Sequence, residues 1–148
     1  MFRQELSKLG WIEGKNVAIE YRFAEGKLER LPELMSDLVR LKVDLIVAQG
    51  TPGAIAAKYA TSTIPIVMTN AGDPVGAGLV ASLARPGGNV TGLSSLASEL
   101  ITKRLEVLKD VVSRLSRVGI LRTLGGRTVL QLKELRAAAQ ALELQLEE

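Results

Sequence analysis

The 148 residues contain no cysteine and no histidine. Without cysteine there is no disulfide, no thiolate nucleophile and no cysteine-ligated zinc. Without histidine the chain lacks the usual general base and the commonest metal ligand, and a Ser-His-Asp triad cannot be assembled. The two absences point away from an enzyme, and no cofactor or metal is expected. Aromatic residues are 3% of the chain, so its core must be aliphatic. The net charge is +3, with acidic and basic residues interspersed. A nucleic-acid surface would gather Lys and Arg on one face, so no nucleic-acid partner is expected. No apolar run approaches the length that spans a bilayer. The opening residues, Met1 to Leu6, mix acid and base with no apolar stretch behind them, so no targeting segment is read there.

Apolar residues make up 47% of the chain, enough for one domain with a buried core. Their spacing alternates between two periods. Residues 2–9 read as a short helix stopped at Gly10, and Asn16–Arg22 alternates like a strand with one wet face. Residues 28–41 predict a helix with Leu28, Leu31, Met35 and Leu38 on one side and Pro32 in its first turn. Asp44–Ala48 and Ile64–Met68 read as strands buried on both faces. Thr51-Pro52 and Asp73-Pro74 each place a capping residue before a proline, which predicts helices after 51 and over 75–84. Val90–Leu93 is a short strand, 98–113 a helix, Arg117–Arg122 a strand. A last helix opens with a capping box from Thr128 to Gln131 and carries the stripe Leu132, Leu135, Ala139, Leu142 and Leu146. Strands separated by helix-length segments predict an α/β fold: a Rossmann-like or flavodoxin-like open parallel sheet with helices on both faces.

One punctuation occurs twice: a buried strand, a polar or glycine step, Thr or Asp, Pro, then a helix. In an open parallel sheet ligands bind beyond the carboxyl ends of the strands. Helix N-termini there offer backbone N–H groups and a partial positive charge, which suit a carboxylate or phosphate. Gly50 and Thr51 at the first step, with Asn70, Gly72 and Asp73 at the second, are therefore the candidate ligand-binding residues. The plainer reading is that Thr51 and Asp73 cap their helices, which does not exclude ligand contact. Gly72, Gly76 and Gly78 lack the spacing of a dinucleotide fingerprint and read instead as close-packing positions. Gly87-Gly88 precedes a strand and reads as a turn. Ser94 and Ser95 have no base beside them and read as the start of the next helix.

Several stretches carry a resemblance. They are Leu9–Asn16 leading into Ile19–Arg22, Ala24–Gly26, Arg30–Leu34, Asp44–Ala48, Ile64–Val67, Gly72–Val80 and Ser82–Gly92. Together, from about Phe2 to about Leu121, the chain resembles the ABC transporter substrate-binding family that includes the tryptophan-type binding proteins. The resemblance implies two Rossmann-like lobes closing on a small amino-acid-like solute, delivery to an ABC permease, and an extracytoplasmic place by export or lipid anchoring. As it stands, with no signal peptide read, the chain would be cytoplasmic.

The family pattern also has an export signal and a first strand before the helix at Phe2, and a whole second lobe after the first. This chain corresponds to the first lobe, 1–148 as a single α/β domain, with 114–148 matching the start of the second. The slot of the missing strand, between Val17–Tyr21 and Leu45–Ala48, is expected to be filled by Val118–Arg122, within the chain or by exchange in a homodimer. The stripe on the last helix either pairs with a second copy or packs on its own sheet. The rival reading of function is a stand-alone flavodoxin-like domain in regulation or assembly with no transport role. An enzyme of that fold is a third reading.

Overall fold

The computed structural model describes residues 2–97, 100–120 and 128–147, with 128–131 described by backbone alone. Three strands, β1 (Ile46–Gln49), β2 (Ile66–Ala71) and β3 (Val90–Ser94), form an all-parallel sheet in sequence order. The register pairs Ile46 with Ile66 and Ile66 with Val90. These three side chains are almost wholly buried. Parallel neighbours need a crossover between them. The first is α3 (Gly50–Ala60), which packs on β1 and β2. Its buried face is built from Gly53, Ala54 and Ala57, small residues that let the helix backbone sit close to the sheet. Before β1, α2 (Leu31–Arg40) packs on α3 and buries Met35 and Leu38 as the helical spacing predicts, together with Leu34, which that spacing does not name. Leu28, expected on the same side, lies in a separate 3-10 turn and is exposed. Pro32 lies in its first turn, where no helical N–H is lost. Asn89 pins the entry to β3, its amide donating to the carbonyls of Thr61 and Ile64 at 3.1 and 2.8 Å.

The expected alternation is present, with differences that have physical causes. The sequence predicts Asp44–Ala48 as a strand buried on both faces, yet Leu45 and Val47 are 48% and 45% exposed, and Leu93 on the same face of the sheet is 71% exposed. Among the described residues the helices cover the face of Ile46 and Ala48, and the face of Val47 stands open. Asn16–Arg22 is not a strand. It has the alternation, but among the described residues no strand pairs with it, and a single bridge joins Glu13 to Val17. The preceding loop is held instead by the Asn16 side chain, which accepts from the Ile12 N–H and donates to the Gly10 carbonyl. The helix over 75–84 shrinks to one turn at Asp73–Leu79. Gly76 and Gly78 weaken a helix by about 1 kcal/mol each, and Gly78 at φ +64° takes the left-handed turn that ends one. Lys58 holds the segment down, its Nζ donating to the carbonyls of Gly78 and Leu79 at 2.7 and 3.2 Å.

After β3 the chain passes into α4 (Ile101–Val111), β4 (Arg117–Gly119), α5 (Thr128–Ala141) and β5 (Gln145–Glu147). Leu105, Ala138, Ala139 and Leu144 form a second hydrophobic cluster that shares no residue with the first. On α4, Glu106 bonds Lys103 at 2.9 Å, and that hydrogen bond and its charge raise the Lys103 pKa above the ordinary lysine value.

β4 does not fill the slot beside β1. It pairs in parallel with β5, Val118 opposite Leu146, in a sheet of its own. The replacement of a missing first strand within this chain is thereby overturned. The cause is local: β5 lies directly after α5 and reaches β4 by a short crossover. The stripe was expected to run along one helix to Leu146. Instead α5 ends at Ala141, Glu143 turns left-handed at φ +54°, and Leu146 is a strand residue. Leu135, Ala139, Leu142 and Leu146 all pack within the second cluster, so the stripe faces its own sheet. The expected strand residues Leu121 and Arg122 and the capping-box side chains Thr128 and Gln131 lie outside the described residues.

Candidate functional site

The carboxyl ends of β1, β2 and β3 converge. β1 runs directly into α3, with Gln49 as its extended N-cap residue, whose side chain makes no capping hydrogen bond to the first-turn N–H groups. Those donors, with the positive end of an eleven-residue helix, are left for a ligand or water. Gly50 sits at φ +67°, a backbone state that glycine reaches without a steric penalty. Thr51 is not the cap expected of it. It lies within the first turn, and its Oγ1 accepts a hydrogen bond from the Gly72 N–H at 3.1 Å.

The end of β2 carries a bulge. Met68 pairs with Gly92 and Ala71 with Ser94, so three steps along β2 oppose two along β3. The extra residue is accommodated with Asn70 at φ +57°, exposed at the sheet end. Asparagine tolerates this conformation better than most residues, and bulges of this kind re-aim side chains beside functional sites. Asp73 does act as a cap, though of one turn only: its Oδ1 accepts from the Gly76 N–H at 2.8 Å. A Cβ at Gly76 would stand 2.0 Å from the Asp73 carboxylate, so that glycine makes room for the cap rather than for helix–sheet packing.

The structure thus brings Thr51 and Gly72 into contact and sets Gly50, Asn70 and Asp73 on the same two strand ends. Sequence reasoning missed the contribution of β3. Ser94 and Ser95 do not begin a helix. Ser94 ends β3, and its Oγ accepts from the Leu96 N–H at 3.1 Å. Ser95 donates its N–H to the Ala71 carbonyl at 2.8 Å, and Ala97 donates to the Gly72 carbonyl at 3.0 Å. The signal was available: Gly92-Leu93-Ser94-Ser95 follows a buried strand residue with a glycine and small polar groups, as the other two strand ends do. Among the described residues no group of three or more Asp or Glu side chains comes together to hold a metal ion. The chemistry on offer is backbone N–H donors, the hydroxyls of Thr51, Ser94 and Ser95, the amides of Gln49 and Asn70, and the Asp73 carboxylate.

Across residues 2–148 the chain matches the family model described as ABC transporter substrate binding protein. The chain belongs to this family. The tyrosine-binding protein of Clostridioides difficile (strain R20291) is 41% identical over 120 residues, 81% of this chain and 34% of that protein. A conserved domain protein from Vibrio cholerae superimposes with a TM-score of 0.89 at 34% identity, covering 97% of this chain and 48% of that one. The ABC domain from Streptococcus pneumoniae in complex with L-Trp superimposes with a TM-score of 0.84 at 29% identity, with the same coverage of 97% and 48%. The chain therefore spans between a third and half of the length of these relatives. The fold is the α/β fold of these neighbours, two of the relatives are a tyrosine-binding protein and an L-Trp complex, and among the described residues no helix is long and apolar enough to cross a membrane.

Proposed function

We propose that this chain supplies one wall of an amino-acid-binding cleft in an ABC import system, and that it is not an enzyme. The observation that carries the reading is the uncapped start of α3 standing beside the bulged end of β2. An α-carboxylate fits the free N–H groups after Gly50 and the Thr51 step. The Asp73 carboxylate would repel that group but suits an α-ammonium, and Asn70 can bond to either. Likeness to a tyrosine-binding protein and to an L-Trp complex supports an amino-acid ligand. Delivery to a permease and an extracytoplasmic place follow from family membership in the same reading.

Titration calorimetry with L-tyrosine and L-tryptophan tests it. One wall makes only part of the contacts, so the expected Kd is on the order of 1 mM or weaker. Backbone NMR shifts should centre on Gly50, Thr51, Asn70 and Gly72. Shifts centred elsewhere, or none up to the solubility limit of L-tryptophan, overturn the reading. A nucleotide or flavin found by mass spectrometry on the purified protein would favour the stand-alone flavodoxin-like alternative.

Association as a homodimer belongs to the same proposal. Among the described residues nothing pairs the outer edge of β1, and Leu45 and Val47 leave exposed apolar side chains beside it. Such an edge invites a second strand. Light scattering over a dilution series should show a concentration-dependent dimer, and a strict monomer at high concentration excludes it.

A further inference from the structure

Gly72 stands between two hydrogen bonds that face opposite ways. Its N–H donates to Thr51 Oγ1 at 3.1 Å, and its carbonyl accepts from Ala97 N–H at 3.0 Å. Among the described residues, a Cβ built on Gly72 would meet the Ala97 Cβ at 3.7 Å and Thr51 Oγ1 at 4.0 Å, the same two residues. A glycine has no side chain to fix its orientation, so its peptide groups point where their partners hold them. Ala97 lies on the segment that follows β3 and leads toward α4, whose Leu105 belongs to the second hydrophobic cluster. Ser95, two residues earlier, is tied to the neighbouring Ala71 carbonyl by its N–H at 2.8 Å. The passage from the first core to the second is thus anchored on Ala71, the last residue of β2, and on Gly72 just after it, and Gly72 is oriented by a side chain of α3.

We propose that Thr51 is a positioning residue for this passage: through Gly72 it sets the placement of Ser95–Ala97. Resting on the amino-acid-binding reading, the consequence is that a ligand at the start of α3 is felt where the chain leaves the first core.

Amide hydrogen exchange by NMR tests the proposal on the unliganded chain. Thr51→Val keeps the branched shape and removes the acceptor. Thr51→Ser keeps the hydroxyl. In Thr51→Val, exchange at Gly72 and Ala97 should accelerate at least about fivefold, with Ile66 and Ile46 in the sheet unchanged, while Thr51→Ser stays near wild type. Faster exchange at Gly72 alone overturns the coupling, and a parallel rise at every amide reduces Thr51 to a general stabiliser. Should Thr51→Val not fold, Thr51→Ala removes the same acceptor without added bulk and is read in the same way. A second arm adds L-tryptophan to the wild type. Slower exchange at Ala97 extends the coupling to ligand. No response at Ala97 while Gly50 and Thr51 shift overturns that extension. No ligand response anywhere counts against the amino-acid reading and leaves the unliganded comparison standing.

Discussion

Thr51 and Gly72, 21 residues apart in the chain, are joined by a 3.1 Å hydrogen bond from the glycine amide to the threonine hydroxyl. The bond ties the start of α3 to the residue just after β2, and the five candidate ligand-binding residues lie at that helix start, at the end of β2 and in the two residues that follow it. Thr51→Ala leaves a half-buried N–H without its acceptor. Stability should fall by about 1–2 kcal/mol in urea denaturation with an unchanged slope, and Thr51→Ser should recover most of it.

Gly92 is the least replaceable glycine of the sheet. It lies at φ +138°, and a Cβ there would stand 2.0 Å from the Met68 carbonyl oxygen. The obstruction is backbone, which cannot swing aside. Gly92→Ala should lose more than about 3 kcal/mol or fail to fold, as circular dichroism and a denaturation curve would show. Gly88→Ala is the control, since nothing lies within 4 Å of a Cβ at that position.

Asn70 separates stability from binding. Its left-handed backbone at φ +57° disfavours a side chain, so Asn70→Gly should be neutral or slightly stabilising. The same change removes the amide from the sheet end, and amino-acid binding should weaken by calorimetry. Asn70→Val should destabilise by about 1–2 kcal/mol, because a β-branched residue fits that conformation poorly. A stabilised Asn70→Gly variant that binds as well as wild type would remove Asn70 from the site.

Lys58 bridges α3 to the turn at Gly78 and Leu79 through two carbonyls. Lys58→Met keeps the apolar stem and loses both bonds. A drop of about 1 kcal/mol is expected in thermal or urea unfolding, modest because the charged end is partly in water.

Much of the fold was legible in the sequence because short-range chemistry decides it. Pro32 in a first turn, the aliphatic runs at Ile46–Ala48 and Ile66–Met68, and the spacing of Met35 and Leu38 all act within a few residues. What could not be read depends on neighbours. Asn16–Arg22 has the pattern of a strand, but a strand exists only when another pairs with it. Leu45 and Val47 look like core, and whether an apolar face is covered is a fact about other elements. β5 is three residues of ordinary composition, Gln145, Leu146 and Glu147, and only β4 beside it makes them a strand. At the site, residue types at the strand ends could be chosen from the Thr-Pro and Asp-Pro punctuation. The swap of Thr51 from cap to cross-link could not, because it depends on the Gly72 amide arriving from the next strand. Nor could the bulge that turns Asn70, which is a mismatch between two strands.

The sheet order β1-β2-β3 follows the chain, and β4 finds its partner in the strand just after the next helix. Every strand pair is therefore closed by a single intervening crossover, and the two apolar clusters draw on separate stretches of sequence. Short closures are the quickest for a folding chain to make, because little loop entropy is lost before contacts repay it. The first cluster, complete by Val90, can assemble while later residues are still emerging from the ribosome. A single proteolytic cut between β3 and α4 would leave both sets of core contacts intact, so limited digestion should yield two resistant pieces rather than one progressively shortened chain.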